Sequence, residues 1–265
     1  MKNTYIKTDK ERLEYLNKEL NTNYTSLCEV DWIRISYYQT LSEEFIREFQ
    51  DKVDWTYISR KQKLSEPFIK EFQNKVDWFN ISSYQTLSEE FIREFQDKVD
   101  WEMISQKQQL SECFIREFQD KVWWERITAY QKLSEPFIRE HKDKVVWYNI
   151  SICQTLSEEF IREFQDKVHW GFISEEQKLS EDFIREFKDM VDWDMISSYQ
   201  TLSEDFIREF ADKLDWENIS GHQKLSNNFL REFEDKIDWN IFFCREDVQA
   251  MLVDKIVTED LIVLC

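Results

Sequence analysis

Two glycines and two prolines in 265 residues are too few for a sheet-rich or loop-rich fold, because tight turns and close backbone approaches draw on both. The same scarcity excludes glycine-bearing signatures: no GxxxxGK[ST], GxGxxG or GxSxG occurs. The three histidines (His141, His169, His222) lie in different parts of the chain, without an HExxH or a cysteine at metal-ligand spacing. Five cysteines (Cys28, Cys113, Cys153, Cys244, Cys265) are odd in number and form no CxxC. That suits free thiols in a reducing compartment better than a disulfide framework. Neither Cys113 nor Cys153 has an organised base that would make it a nucleophile. No apolar run approaches the roughly 20 residues of a membrane span, and no basic-then-apolar signal peptide opens the chain. Positive charge is in the minority: 35 Lys and Arg against 54 Asp and Glu leave −19, which disfavours nucleic acid and anionic membranes as partners. The expectation is a chain without catalysis, cofactor or metal, neither secreted nor membrane-spanning.

What the chain has in abundance is repetition. Tryptophan stands at 32, 55, 78, 101, 124, 147, 170, 193, 216 and 239, always 23 residues apart, with Trp123 as an eleventh. The unit reads D-W-x-x-I-S-x-x-Q-x-L-S-E-x-F-I-R-E-F-x-D-K-V, and a fixed period of this length marks a repeat array. Each unit holds two helix starts of one design. Asp54 is an N-cap, with Val53 and Ile58 placed as a hydrophobic staple; Ser65 is a second cap, with Leu64 and Ile69 as its staple. Pro67 and Pro136 fall in a first turn, where a missing N–H does little harm. A short helix A from about Asp54 to Gln62 and a helix B from about Ser65 to Lys75 follow. Phe68, Ile69 and Phe72 form the apolar stripe of helix B. Glu66–Lys70 and Glu71–Lys75 read as i,i+4 ion pairs on a solvated face.

One such unit buries too little apolar surface to offset the ordering of its backbone, so neighbours must hold one another up. The expected fold is all-α: a right-handed α-solenoid of about ten helix-turn-helix repeats over residues 31–244. Residues 1–30 form an N-terminal helical cap and residues 245–265 a C-terminal one. Trp55, Trp78 and Trp101 and their counterparts lie between successive hairpins. Nine glutamines from Gln39 to Gln223, among them Gln62, Gln85 and Gln108, end the first nine A helices and are expected to hydrogen-bond turn carbonyls or the next unit, since buried amides must be paired.

Helix B is nearly constant, and even exposed arginines such as Arg47, Arg93 and Arg116 recur, a sign of recent unit copying. Helix A carries the variation, after each Trp and before each Gln: Tyr57, Phe79, Met103, Arg126, Tyr148, Phe172 and Met195 are candidate recognition positions. Drift at unconstrained surface is the competing explanation. The Asp cap is lost in three consecutive units, where Trp123, Val146 and His169 replace it, each loss costing about 1 kcal/mol of helix stability. Equivalent positions of adjacent repeats are neighbours, so these three are expected to form an apolar ridge, a contact for a protein partner or for a homo-oligomer through the central repeats.

The string "LSEEFIREFQDKVDWTYISRKQ" at 41–62 resembles the tandem-repeat hypothetical proteins of large DNA viruses of amoebae, the giant viruses, over about residues 31–240. The resemblance implies a viral protein of the host cytoplasm or the virion, expanded by unit duplication. The functional expectation is a scaffold that binds protein through helix A. The alternatives are a structural virion or assembly component and an acidic decoy that mimics nucleic acid.

Overall fold

A computed structural model describes residues 8–250 of the chain. Among the described residues every regular element is helical, and the chain falls into two compact units divided after Gln131. The first unit holds the A helices Trp32–Tyr38, Trp55–Lys61, Trp78–Tyr84, Trp101–Lys107 and Trp124–Tyr130, and the B helices Glu43–Glu48, Glu66–Glu71, Glu89–Glu94 and Glu112–Glu117. The second holds A helices from Trp147–Cys153 to Trp239–Cys244 and B helices from Glu135–Glu140 to Asn227–Glu232. Within each unit every A helix packs on the next, the arrangement of an α-solenoid built on a period of 23 residues.

The side chains that recur are those that join one repeat to the next. Ile58, Phe68 and Ile69 are fully buried, and the Trp55 ring lies 5.0 Å from Phe72 and 6.3 Å from Phe68. Trp55 itself is half-buried, its Nε1 donating to the Gln50 carbonyl at 3.0 Å. Ser59 Oγ donates to the Trp55 carbonyl at 2.7 Å and accepts from the Asp77 amide at 2.9 Å. One hydroxyl thus closes its own helix and fixes the N-cap of the next A helix. Asp77 in turn accepts from the Asn80 amide.

The glutamines form a ladder, as their faithful spacing implied. Gln85 Nε2 donates to the Ser59 and Gln62 carbonyls at 2.9 and 2.8 Å, while its Oε1 accepts from the Leu64 amide at 3.0 Å. Gln62, Gln108 and Gln131 repeat these contacts in the first unit. Gln177, Gln200 and Gln223 repeat them in the second. Gln39, at the start, is exposed and supplies its carbonyl to Gln62.

Helix B is shorter than its charge pattern predicted. It ends at Glu71, and residues 72–75 form a turn. The Phe72 carbonyl accepts both the Lys75 and the Val76 amides, which redirects the chain. In this helix the acid–base pairs run between repeats instead, although the pair equivalent to Glu66–Lys70 forms within most other B helices, as Glu89 with Arg93 at 3.7 Å. Glu71 accepts from Arg47 at 2.8 Å, Lys70 pairs with Glu94, and Lys75 Nζ reaches the Gln50 side chain at 2.9 Å. Arg47 also lies 5.0 Å over the Phe68 ring, and Arg93 lies likewise over Phe114. Their recurrence has a packing cause and is no separate mark of recent copying.

The helix Asp9–Leu20 precedes the array, opened by a capping box between Thr8 and Glu11 and closed by Asn21 in the left-handed region. Leu16 is fully buried, Tyr15 stacks 6.3 Å from Phe49, and Arg12 lies over that ring while bonding the Glu48 carbonyl. At the far end Arg245 stands where the next ladder glutamine would. Its Nη1 donates to the Ser220 and Gln223 carbonyls, the same pair of acceptors a following glutamine takes elsewhere. The remainder of the expected C-terminal cap, residues 251–265 with Cys265, and residues 1–7 of the N-terminal one lie outside the described residues.

Candidate protein-contact surface

With core, ladder and caps assigned, the outer face of the A helices is left. It carries nearly all of the large exposed apolar side chains: Ile33, Tyr38, Phe79, Tyr84, Trp123 and Tyr130 in the first unit, Tyr148 and Tyr199 in the second. Two positions recur among them, the residue after each Trp and the residue before each Gln. Both point outward because the buried side of a seven-residue helix is already given to Ile and Ser at positions four and five.

The candidate recognition residues divide by position. Those directly after Trp are open: Phe79 is 53% and Tyr148 54% exposed. Those two after Trp are half-buried: Tyr57, Met103, Arg126, Phe172 and Met195. Several of the latter are engaged with the preceding repeat. Arg126 donates to Glu102 at 2.8 Å, a bond that raises its guanidinium above the ordinary arginine range. Phe172 packs edge-on against Tyr148 at 5.0 Å, and Tyr57 against Tyr37 at 5.1 Å. In the first two of these pairs the residue after one Trp meets the residue two after the next, 24 positions on.

Trp123, Val146 and His169 each stand at the N-cap of an A helix and make no side-chain cap bond; the Trp and Val side chains carry no acceptor, and the His ring does not turn one to the helix. Their backbone role survives: the Trp123 amide donates to Ser105 Oγ and the His169 amide to Ser151 Oγ, both at 2.9 Å. Trp123, in the first unit, is 51% exposed. In the second unit Val146 is half-buried, and His169 joins a three-ring cluster, 4.7 Å from Phe172 and 6.0 Å from Tyr148. Gly171 belongs to this cluster, since a Cβ there would stand 3.4 Å from two atoms of the His169 ring. His141, the residue in place of a repeat phenylalanine, is buried edge-on against Phe137 at 4.5 Å.

Ile33 and Arg34 were not among the sequence candidates, although they occupy the same two positions after Trp32 as the others do after theirs. Cys28, Cys113, Cys153 and Cys244 are free and exposed. Among the described residues no cluster of His, Cys, Asp and Glu is arranged to hold a metal ion, and no helix is long and apolar enough to cross a membrane. Comparison of the chain with protein-family models, with curated proteins and with solved structures finds no match.

Proposed function

We propose that the protein is a non-enzymatic repeat scaffold that binds other proteins through the exposed face of its A helices. One observation carries this reading: the recurring polar groups are consumed by contacts between repeats, whereas large apolar side chains such as Phe79, Trp123 and Tyr148 are left in water. Apolar side chains gathered on one face mark interaction surfaces more often than apolar side chains scattered singly. The resemblance of the repeat to proteins of giant viruses extends the proposal to a viral protein acting on host or viral proteins, in the host cytoplasm or the virion.

The test is affinity recovery from cell lysate at low and high salt, read by mass spectrometry, with the wild type and a Phe79→Ser, Trp123→Ser, Tyr148→Ser variant. Partners retained at high salt by the wild type and lost by the variant support the scaffold. Basic proteins released by salt from both would instead identify an acidic decoy, since exposed charge pairs are screened. Equal recovery by wild type and variant at high salt overturns the assignment of this face. The ladder, which stiffens each unit, favours a structural component as the second reading, and abundance in purified particles without any soluble partner would establish it.

A further inference from the structure

Many Lys and Arg of the described residues, Lys63, Lys107 and Lys178 among them, form no ion pair, so it is clustering, and not the lack of a partner alone, that sets one group apart. Arg47, Arg93, Arg139, Arg162, Arg185 and Arg208 each donate to the glutamate 24 residues on. Arg34, Arg60 and Lys61, on two consecutive A helices of the first unit, form no ion pair among the described residues. They stand among tyrosines. Lys61 Nζ lies 4.5 Å over the Tyr37 ring and the Arg60 guanidinium 5.1 Å over Tyr84. Tyr37 meets Tyr38 and Tyr57 edge-on at 4.5 and 5.1 Å.

Two open clefts flank Arg34. One, of about 510 Å³, lies between it, Tyr24 and Tyr38; the other, of about 440 Å³, lies between it, Ile33 and Tyr57. Asp31 borders both, but its carboxylate already accepts from the Arg34 amide at 2.9 Å as the N-cap of that helix. The last turns of the first three A helices, 36–38, 59–61 and 82–84, contain no acid at all. The nearest other carboxylates in sequence each accept hydrogen bonds already: Glu29 from the Thr25 amide and hydroxyl, Asp54 from the Thr56 and Tyr57 amides, and Glu66 from the Ser88 amide.

We infer that this surface, centred on Arg34, Tyr38, Tyr57, Arg60 and Lys61, binds a short acidic peptide segment of a partner protein. Carboxylates of the segment pair with the three cations, and its apolar side chains enter the clefts beside Arg34. The inference rests on the protein-binding reading above and names the partner's chemistry at one place. Three observations select this occupant. Arg60 and Lys61 are each covered on one side by an aromatic ring, which strengthens their pairing with an incoming carboxylate. Tyrosine supplies rigid amphipathic contact area with few rotamers to freeze. The patch is small, so at ordinary ionic strength, where charges are screened beyond about 10 Å, a short acidic stretch feels the three cations and the Asp31 carboxylate and not the net charge of the chain. A nucleic-acid strand would run on past them, along B helices edged with glutamate, on a molecule of charge −19.

The experiment is fluorescence anisotropy on the full chain with three labelled probes: a 12-residue peptide of Asp and Glu interspersed with Leu and Phe, its Asn/Gln counterpart, and a 20-nucleotide oligothymidylate. The variants are Arg34→Ala/Arg60→Ala/Lys61→Ala and, as a control in the second unit, Lys178→Ala, with circular dichroism confirming that both fold. The acidic peptide is expected to bind the wild type and the control alike. Its affinity should fall at least tenfold in the triple variant and at least tenfold between 50 and 300 mM salt. The neutral peptide and the oligonucleotide are expected not to bind. Binding of the oligonucleotide in preference to the peptide, equal binding of the neutral peptide, or peptide binding unchanged in the triple variant overturns the inference. Self-association of the wild type abolished in the triple variant, without peptide binding, also overturns it in favour of a second copy as occupant. If the triple variant still recovers the same lysate partners as the wild type, this site fails while the scaffold reading stands. If the wild type recovers none, the scaffold reading itself fails.

Discussion

Replacing Gln108 tests the glutamine ladder where it is most regular. Its amide makes three contacts: Nε2 donates to the Ser82 carbonyl at 3.0 Å and the Gln85 carbonyl at 2.8 Å, and Oε1 accepts from the Leu87 amide at 3.0 Å. Gln108 and Leu87 are both buried. A hydrogen bond contributes about 1 kcal/mol net, and a buried amide left without an acceptor adds about 1–3 kcal/mol of desolvation. Water entering the space of the lost side chain offsets part of this, so Gln108→Ala is expected to lower stability by about 3 kcal/mol. Gln108→Glu separates hydrogen bonding from volume. It keeps the acceptor for Leu87 but sets carboxylate oxygens against two carbonyl oxygens.

At neutral pH the glutamate variant should therefore be less stable than the alanine variant, despite its better fit. The sign of its pH dependence follows. Burial and the facing carbonyls raise the carboxyl's folded pKa above its unfolded value. The contribution of that side chain is then most favourable below its unfolded pKa and is lost as pH rises through the raised folded pKa. Urea unfolding followed by circular dichroism gives the stabilities, and hydrogen exchange at the Leu87 amide gives the local effect, because repeats couple chiefly to their neighbours. The ladder would not be what holds the repeats if Gln108→Ala cost less than about 1 kcal/mol with Leu87 exchange unchanged. A glutamate variant as stable as wild type at pH 7 would be equally damaging.

Three further outcomes follow from single contacts. Val146→Asp restores a cap to the A helix Trp147–Cys153 and should stabilise the protein by about 1 kcal/mol, while Asp192→Val should destabilise it by a similar amount; urea midpoints decide. Glu204 Oε1 accepts from the Ser226 amide at 2.6 Å, and this bond holds its carboxyl below the ordinary range. Its contribution is present above the unfolded pKa of about 4.3 and is lost as pH falls through the folded value, so Glu204→Gln should flatten the fall in urea midpoint between pH 5 and 3. Arg245→Ala uncovers the Ser220 and Gln223 carbonyls and should speed hydrogen exchange over residues 216–223, leaving the first unit unaffected.

The limits of helix A were legible because capping is local chemistry: Asp54 and Gln62 bound Trp55–Lys61 as read. The end of helix B was not. Glu71 and Lys75 have the spacing of an intrahelical pair, and nothing within 23 residues reveals that Arg47 and Gln50 of the preceding repeat claim them. Charge patterning on one helix is a weak signal when each helix has a copy of itself alongside. The same reason hid the work of Arg47, whose guanidinium covers a phenylalanine of the following repeat. Arg245 escaped notice because it replaces a glutamine by function and is one residue out of register with it. Arg34 was within reach, since indexing every residue from its tryptophan places it beside Tyr57 and Arg126.

That indexing also bears on drift against selection in helix A. Residues free to drift have no reason to match partners in another repeat, yet Glu102 faces Arg126 and Tyr148 faces Phe172. The position two after Trp is thus answerable to its neighbour, as a cross-strand pair is in a sheet, and a substitution there is felt 24 residues away. Among the side chains left more than half exposed are Phe79, directly after its Trp, and Tyr84 and Tyr38 in the last turn of the helix. Apolar side chains at such positions gain less from the fold than buried ones, because half or more of their surface stays in water. The protein partner proposed above is one explanation for keeping them there, and drift at unconstrained surface is the other.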